Sequence, residues 1–195
     1  GHILGDTKVK LQGGLIGTTG LSGIDGHVYG GGKGNTSSFT VGRVGGCTKV
    51  EISDGNILGC VFGGGQTALT GVDEEGHFSY FMPDDNTMYD TVRHGTTYVT
   101  ITGGVIGTNA NSGLTLLTSN QISGNVYGAG RGDPNEHIED DWARVAKSVL
   151  TISGSPTIYG SVYGGGQMAN VGNWLNYTGW YAKGSSATTV TISES

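Results

Sequence analysis

Few side chains in this chain have the type and spacing to do chemistry, and they fall into four groups. Trp174, Tyr177, Trp180 and Tyr181 lie within eight residues of one another in a Gly/Asn-rich stretch. Flat ring faces with polar edges suit stacking on sugars, so these four are the candidate carbohydrate-binding residues. Asp73, Glu74, Glu75, Asp84 and Asp85 cluster carboxylates in a second stretch, where a hard cation such as Ca²⁺ takes oxygen ligands. A solvated acidic loop is the reading preferred over a calcium site, and no other cofactor is expected. Cys47 and Cys60 are the only cysteines, and their spacing fits no zinc motif. They read as two small buried residues or as a disulfide between neighbouring turns. Glu51 is the only acidic residue among the outward positions of the strands described below. Carboxylate catalysis of glycoside cleavage needs a pair, so catalysis is not expected.

Other motifs dissolve on inspection. His2, His27, His77, His94 and His137 have no ligand spacing. Gly30-Gly31-Gly32-Lys33-Gly34 lacks the Lys-Ser/Thr pair and the following helix of a phosphate loop. Arg131-Gly132-Asp133 spells an integrin-type tripeptide, but Asp133 also suits a helix cap.

The elements that must position these residues repeat. The motif Ile, any, Gly, any, Val, aromatic, Gly, small, Gly occurs four times, at 24–32, 57–65, 122–130 and 158–166. A second unit precedes each copy: Thr7–Leu11, Thr48–Ile52, Thr97–Ile101 and Ser148–Ile152, with a fifth copy at Thr188–Ile192. Each alternates inward apolar with outward, mostly polar residues, the pattern of a half-buried strand. The inward valines of the second unit stand at 9, 50, 99 and 190, with Leu150 in the fourth copy, spaced by 41, 49, 51 and 40. Cassettes one and three carry additional residues before the Ile-x-Gly-x-Val segment, and cassettes two and four carry long inserts after Gly-Gly-Gly-Gln. The true period is therefore two cassettes.

A cassette cannot bury its Val and Ile alone, so stacking is required. Stacking predicts three apolar columns: Val9/Val50/Val99/Leu150/Val190, Ile24/Ile57/Ile122/Ile158 and Val28/Val61/Val126/Val162. Tyr29, Phe62, Tyr127 and Tyr163 should stack on the outside. The expected fold is all-β, a parallel β-helix (β-solenoid) with long loop inserts. A propeller-like array is the alternative, disfavoured because each cassette shows two clear strands rather than four. One short helix is expected within Arg131–Lys147, with Asp133 as cap, Pro134 in the first turn, and Ile138, Trp142 and Val145 on one face. Thr40–Val44 reads as a further short strand. The domain is single, with cassettes at 7–47, 48–96, 97–147 and 148–187 and a fifth beginning at 188. The chain reads as a piece of a longer protein.

The composition narrows the partners. Of 195 residues 39 are glycine, charged residues make up 13 %, and the net charge is −6. No Lys/Arg stripe exists, so nucleic acid is not an expected partner. No apolar run is long enough to span a membrane.

Val-Tyr-Gly-Gly-Gly, Thr-Lys-Val-Glu-Ile and Ile-x-Gly-x-Val-Tyr-Gly resemble the glycine-rich repeats of very long, secreted, adhesin-like β-helical surface proteins of gut bacteria. The resemblance covers the four cassettes but not the inserts. It implies an extracellular or cell-surface setting and a structural or adhesive role, and carries over no catalytic residue. Expected partners are host or microbial glycans or surface proteins. Three other readings stand beside this one: a carbohydrate-binding module, a polysaccharide lyase or hydrolase, and a fibre subunit that associates end to end through exposed strand edges.

Overall fold

The computed structural model describes residues 1–17, 26–35, 41–71, 95–108, 124–133, 143–174, 180–181 and 188–194. These residues are all-β, and no helix occurs among them. Thirteen strands form, in chain order: β1 (Thr7–Ile16), β2 (Val28–Tyr29), β3 (Thr48–Ile57), β4 (Val61–Phe62), β5 (Thr96–Ile101), β6 (Val105–Ile106), β7 (Val126–Tyr127), β8 (Lys147–Ile152), β9 (Thr157–Ile158), β10 (Val162–Tyr163), β11 (Asn173–Trp174), β12 (Trp180–Tyr181) and β13 (Thr188–Ile192).

Every pairing but one is parallel and joins one cassette to the next. A forked seven-stranded sheet carries β13-β8-β5-β3 on one arm and β6-β9 on the other, with β1 along β3. The fork exists because β3 serves both arms: Thr48–Ile52 pairs with Thr97–Ile101, while Asn56–Ile57 pairs with Val105–Ile106. The bend between its two ends is made by glycine. Gly14, Gly55 and Gly104 occupy the corner in successive cassettes with φ of 89°, 105° and 85°, values that a side chain resists. A second sheet, β10-β7-β4-β2, is also parallel. The pairing of like strand with like strand between cassettes is not that of propeller blades, whose strands pair within each blade.

One core lies between the sheets. It contains Val50, Ile52, Val99, Ile101, Leu150 and Ile152 from the long arm, Ile57 and Ile106 from the short arm, and Val28, Val61 and Val126 from the second sheet. Each such side chain contributes about 1.5–3 kcal/mol through burial. The first expected column forms in full, Val9 to Val50 to Val99 to Leu150 to Val190. So does the column Val28–Val61–Val126–Val162.

The middle column is corrected. Ile57 pairs with Ile16 and Ile106, and Ile106 with Ile158. Ile24 and Ile122, expected in those places, lie outside the described residues. Leu15-Ile16 and Val105-Ile106 thus carry the strand itself, and the additional residues of cassettes one and three follow them. The Ile-x-Gly-x-Val segment is not one strand either. Ile57 belongs to β3 and Val61 to β4, so the residues between them turn the chain from one sheet to the other.

The helix expected over 131–147 is corrected at its described ends. Arg131 bridges Gln66 and Gln167, Val145 bridges Val171, and Lys147 opens β8, all extended pairings. Stacking takes these residues because each finds a partner from a neighbouring cassette. Ile138 and Trp142 lie outside the described residues. Thr40–Val44 is reduced to a bridge from Val44 to Ile3 and Thr70. The two-cassette period has a backbone counterpart: the residues after Gln66 and Gln167, Thr67 and Met168, both have positive φ (49° and 51°).

Candidate functional site

Three layers surround the core, each built by the stacking register. The innermost is a row of hydroxyls that open the leading strands. Thr7 donates to the Gly30 carbonyl, Thr48 to Gly63 and Thr97 to Gly128, each at 2.5 Å, tying the long arm to the second sheet within one cassette. Ser148 holds the fourth position, where its buried Oγ makes no hydrogen bond among the described residues. The carbonyls come from glycines with no room for a side chain. A Cβ on Gly30 would strike the Gly63 carbonyl, and one on Gly63 the Gly128 carbonyl. Sequence reasoning missed this row, although all five leading units begin with Thr or Ser.

The second layer is the aromatic ladder on the outer side of the second sheet. Tyr29, Phe62, Tyr127 and Tyr163 stack with centroids 4.8, 4.9 and 4.9 Å apart and planes within 10° of parallel. The spacing is that of the strands beneath. Expected on the outside, the ladder is buried in its middle: Phe62 is fully buried and Tyr127 nearly so, whereas Tyr163 is exposed. His27 meets Tyr29 and Phe62 edge-on. Arg131 reaches over to hydrogen-bond the Tyr29 hydroxyl at 3.3 Å. Burial pushes the Tyr29 and Tyr127 phenols up, with Arg131 opposing the shift at Tyr29. Arg131, the first residue of the integrin-type tripeptide, is thus occupied in this layer.

Capping residues hold one cassette to the next where the strands begin. Asp6 Oδ1 accepts from the Cys47 backbone N–H at 2.8 Å, His27 Nδ1 from Cys60 N–H at 2.9 Å, and Asn125 Oδ1 from Ser161 N–H at 2.7 Å. Cys47 and Cys60 are therefore equivalent entry positions of β3 and β4. Both are buried and they are not bonded to one another. Of the two readings open for this pair, the structure has two buried, unbonded residues: Cys47 immediately precedes β3 and Cys60 immediately precedes β4, where it packs with Phe62 and Tyr127. Burial pushes the Cys60 thiol up to about 11 and raises Cys47 as well.

The outermost layer is the polar face of the long arm. Register places Lys8, Lys49, Tyr98, Val149 and Thr189 in one column, and Lys10, Glu51, Thr100, Thr151 and Thr191 in the next. Lys8 Nζ pairs with Glu51 at 2.8 Å, and this hydrogen bond holds the Glu51 carboxyl below its ordinary range. Lys49 Nζ sits 5.6 Å from the Tyr98 ring centroid. Glu51 faces no second carboxylate in these two columns.

Of the aromatic candidates, Trp174, Trp180 and Tyr181 fall on the one antiparallel pair, β11 with β12, whose register sets Trp174 opposite Trp180 and Asn173 opposite Tyr181. Tyr177 lies outside the described residues, as do Asp73, Glu74, Glu75, Asp84 and Asp85. Among the described residues no three His, Cys, Asp or Glu side chains converge as metal ligands. No described helix is long and apolar enough to cross a membrane.

Compared with known proteins, the chain matches no family model, no curated protein and no solved structure.

Proposed function

We propose that the chain is a run of coils of a parallel β-solenoid, serving as a structural and adhesive segment of a secreted or cell-surface bacterial protein. The observation that carries this reading is the Val9–Val50–Val99–Leu150–Val190 column, five like positions stacked in register across cassettes of unequal length. An architecture in which each coil contacts its neighbours extends by repetition, and repetition gives length and a regular outer face. The resemblance of the Val-Tyr-Gly-Gly-Gly cassettes to adhesin-like surface repeats supports the setting. Small-angle scattering of the chain and of a head-to-tail duplicate tests the architecture: each coil should lengthen the particle by about 4.8 Å. A duplicate that behaves as two tumbling compact bodies would overturn it. Antibody labelling of intact producing cells tests the setting, and label confined to permeabilised cells would overturn that part.

A second reading, carbohydrate binding, is favoured by the register that sets Trp174 opposite Trp180. Two tryptophans and a tyrosine fall on this one short ribbon, and aromatic rings are the residue type that stacks on sugars. Glycan-array binding that is lost in a Trp174→Ala, Trp180→Ala double variant supports it, and the absence of binding by the unaltered chain rejects it.

A further inference from the structure

The polar face of the long arm carries charge of the opposite sign to the chain as a whole. Net charge is −6, yet in the first two cassettes this face presents Lys8, Lys10 and Lys49 against the single carboxylate Glu51. All three lysines are exposed. Their partners leave cationic charge over. Glu51 is taken by Lys8, Lys49 rests over the Tyr98 ring, and Lys10 makes no ion pair among the described residues. The flanking carboxylates Asp6 and Asp54 keep their charge but stand outside the two lysine-bearing columns, accepting from the Cys47 N–H at 2.8 Å and the Gly55 N–H at 2.7 Å. Up the stack the same columns continue as half-buried Tyr98, then Thr100, Thr151 and Thr191.

We infer that this face binds a linear acidic polysaccharide, with Lys10 and Lys49 taking its carboxylate or sulfate groups and Tyr98 and the threonine row taking its rings and hydroxyls. The parallel register spaces the side chains of each column by about 4.8 Å, comparable with the length of one sugar residue, so an extended glycan laid along the stack meets the lysines first and then the Tyr98 ring and the threonine hydroxyls. Lysine is a compact point charge and suits separated anionic groups. An aromatic ring beside it offers an apolar face for a sugar ring. The dense phosphates of a nucleic acid fit less well, because their binding needs many cations on one partner and the rest of this chain is acidic. The inference does not depend on the surface setting or on the Trp174/Trp180 pair.

Calorimetric titration of the full chain with polygalacturonate and with chondroitin sulfate, at 50 mM and 500 mM salt, tests it. At least one polymer should bind at low salt and lose affinity about tenfold at high salt. A Lys10→Gln, Lys49→Gln double variant should lose about tenfold, while Lys33→Gln, off this face, should bind as the parent. Tyr98→Ala should weaken binding to the polymer without altering its salt dependence. Thermal melts of each variant separate lost binding from lost folding, and Lys10→Arg, Lys49→Arg should retain affinity. Three outcomes overturn the inference: no binding of either polymer at low salt, binding unchanged by the double glutamine variant, or equal affinity for a neutral dextran or a single-stranded DNA through the same lysines.

Discussion

The Thr48 hydroxyl donates to the carbonyl of Gly63, fifteen residues further on, at 2.5 Å across the interior of the second cassette. The equivalent pair in the third cassette, Thr97 and Gly128, is 31 residues apart and has the same length. The cross-core bond is thus a property of the stack, and the intervening chain absorbs the difference. Thr48→Val keeps the shape but leaves the Gly63 carbonyl buried without its donor, at a cost of about 1–3 kcal/mol. Ser148, whose buried Oγ makes no hydrogen bond among the described residues, should respond in the opposite sense. Ser148→Thr, matching the residue of the other cassettes, should gain about 1 kcal/mol. Urea unfolding of the two variants checks the signs, and a stabilised Thr48→Val would remove the row from the account.

Stacked glycine corners give a second contrast within one motif. Gly63 has the Gly128 carbonyl where a Cβ would lie, whereas nothing stands within 4 Å of that position at Gly165. Gly63→Ala should cost about 3 kcal/mol or more, because backbone rather than a side-chain tip must move. Gly165→Ala should change stability by less than about 1 kcal/mol, and its reduced unfolded-state freedom favours a small gain. Denaturation midpoints at matched slopes measure both.

Within the aromatic ladder, position decides the effect. Phe62 is fully buried between Tyr29 and Tyr127, while Tyr163 at the end is 45 % exposed. Phe62→Ala should cost about 3–5 kcal/mol. Tyr163→Ala should cost about 1 kcal/mol. Near-ultraviolet dichroism should lose ladder signal in the first and keep most of it in the second. Equal losses in stability would mean that the ladder is not buried by stacking.

Alkaline pH should weaken the fold. Burial raises the Cys60 thiol from 9.0 to about 11, so the folded state keeps its proton where the unfolded chain releases it. That stability is present below about pH 9 and is lost as pH rises toward 11. Tyr29 and Tyr127, also raised by burial, add to the loss at the same end. Cys60→Ala should flatten the decline of unfolding free energy between pH 9 and 11 without abolishing it. Identical slopes in parent and variant would show that Cys60 is not held protonated.

Much of this molecule was legible in its residues. The alternation in Thr-Lys-Val-Glu-Ile and its four companions determined which side chains face inward, because a strand has a period of two and a Val cannot remain in water at no cost. Recurrence of the unit determined that like stacks on like. The residues did not determine which isoleucine fills the middle column. Leu15-Ile16-Gly17 and Ile24-Asp25-Gly26 are both apolar-and-glycine phrases, and only pairing against Ile57 selects Ile16. The cysteines show the same limit. Their positions before β3 and β4 are plain in the sequence, but that the two are buried and unbonded is a three-dimensional fact. The hydroxyl row and the Asp6, His27 and Asn125 caps join residues far apart in the chain, so no local pattern contains them. Local alternation is set by covalent geometry and solvent, whereas register is set by which backbone lies alongside, and that is decided only when the cassettes meet.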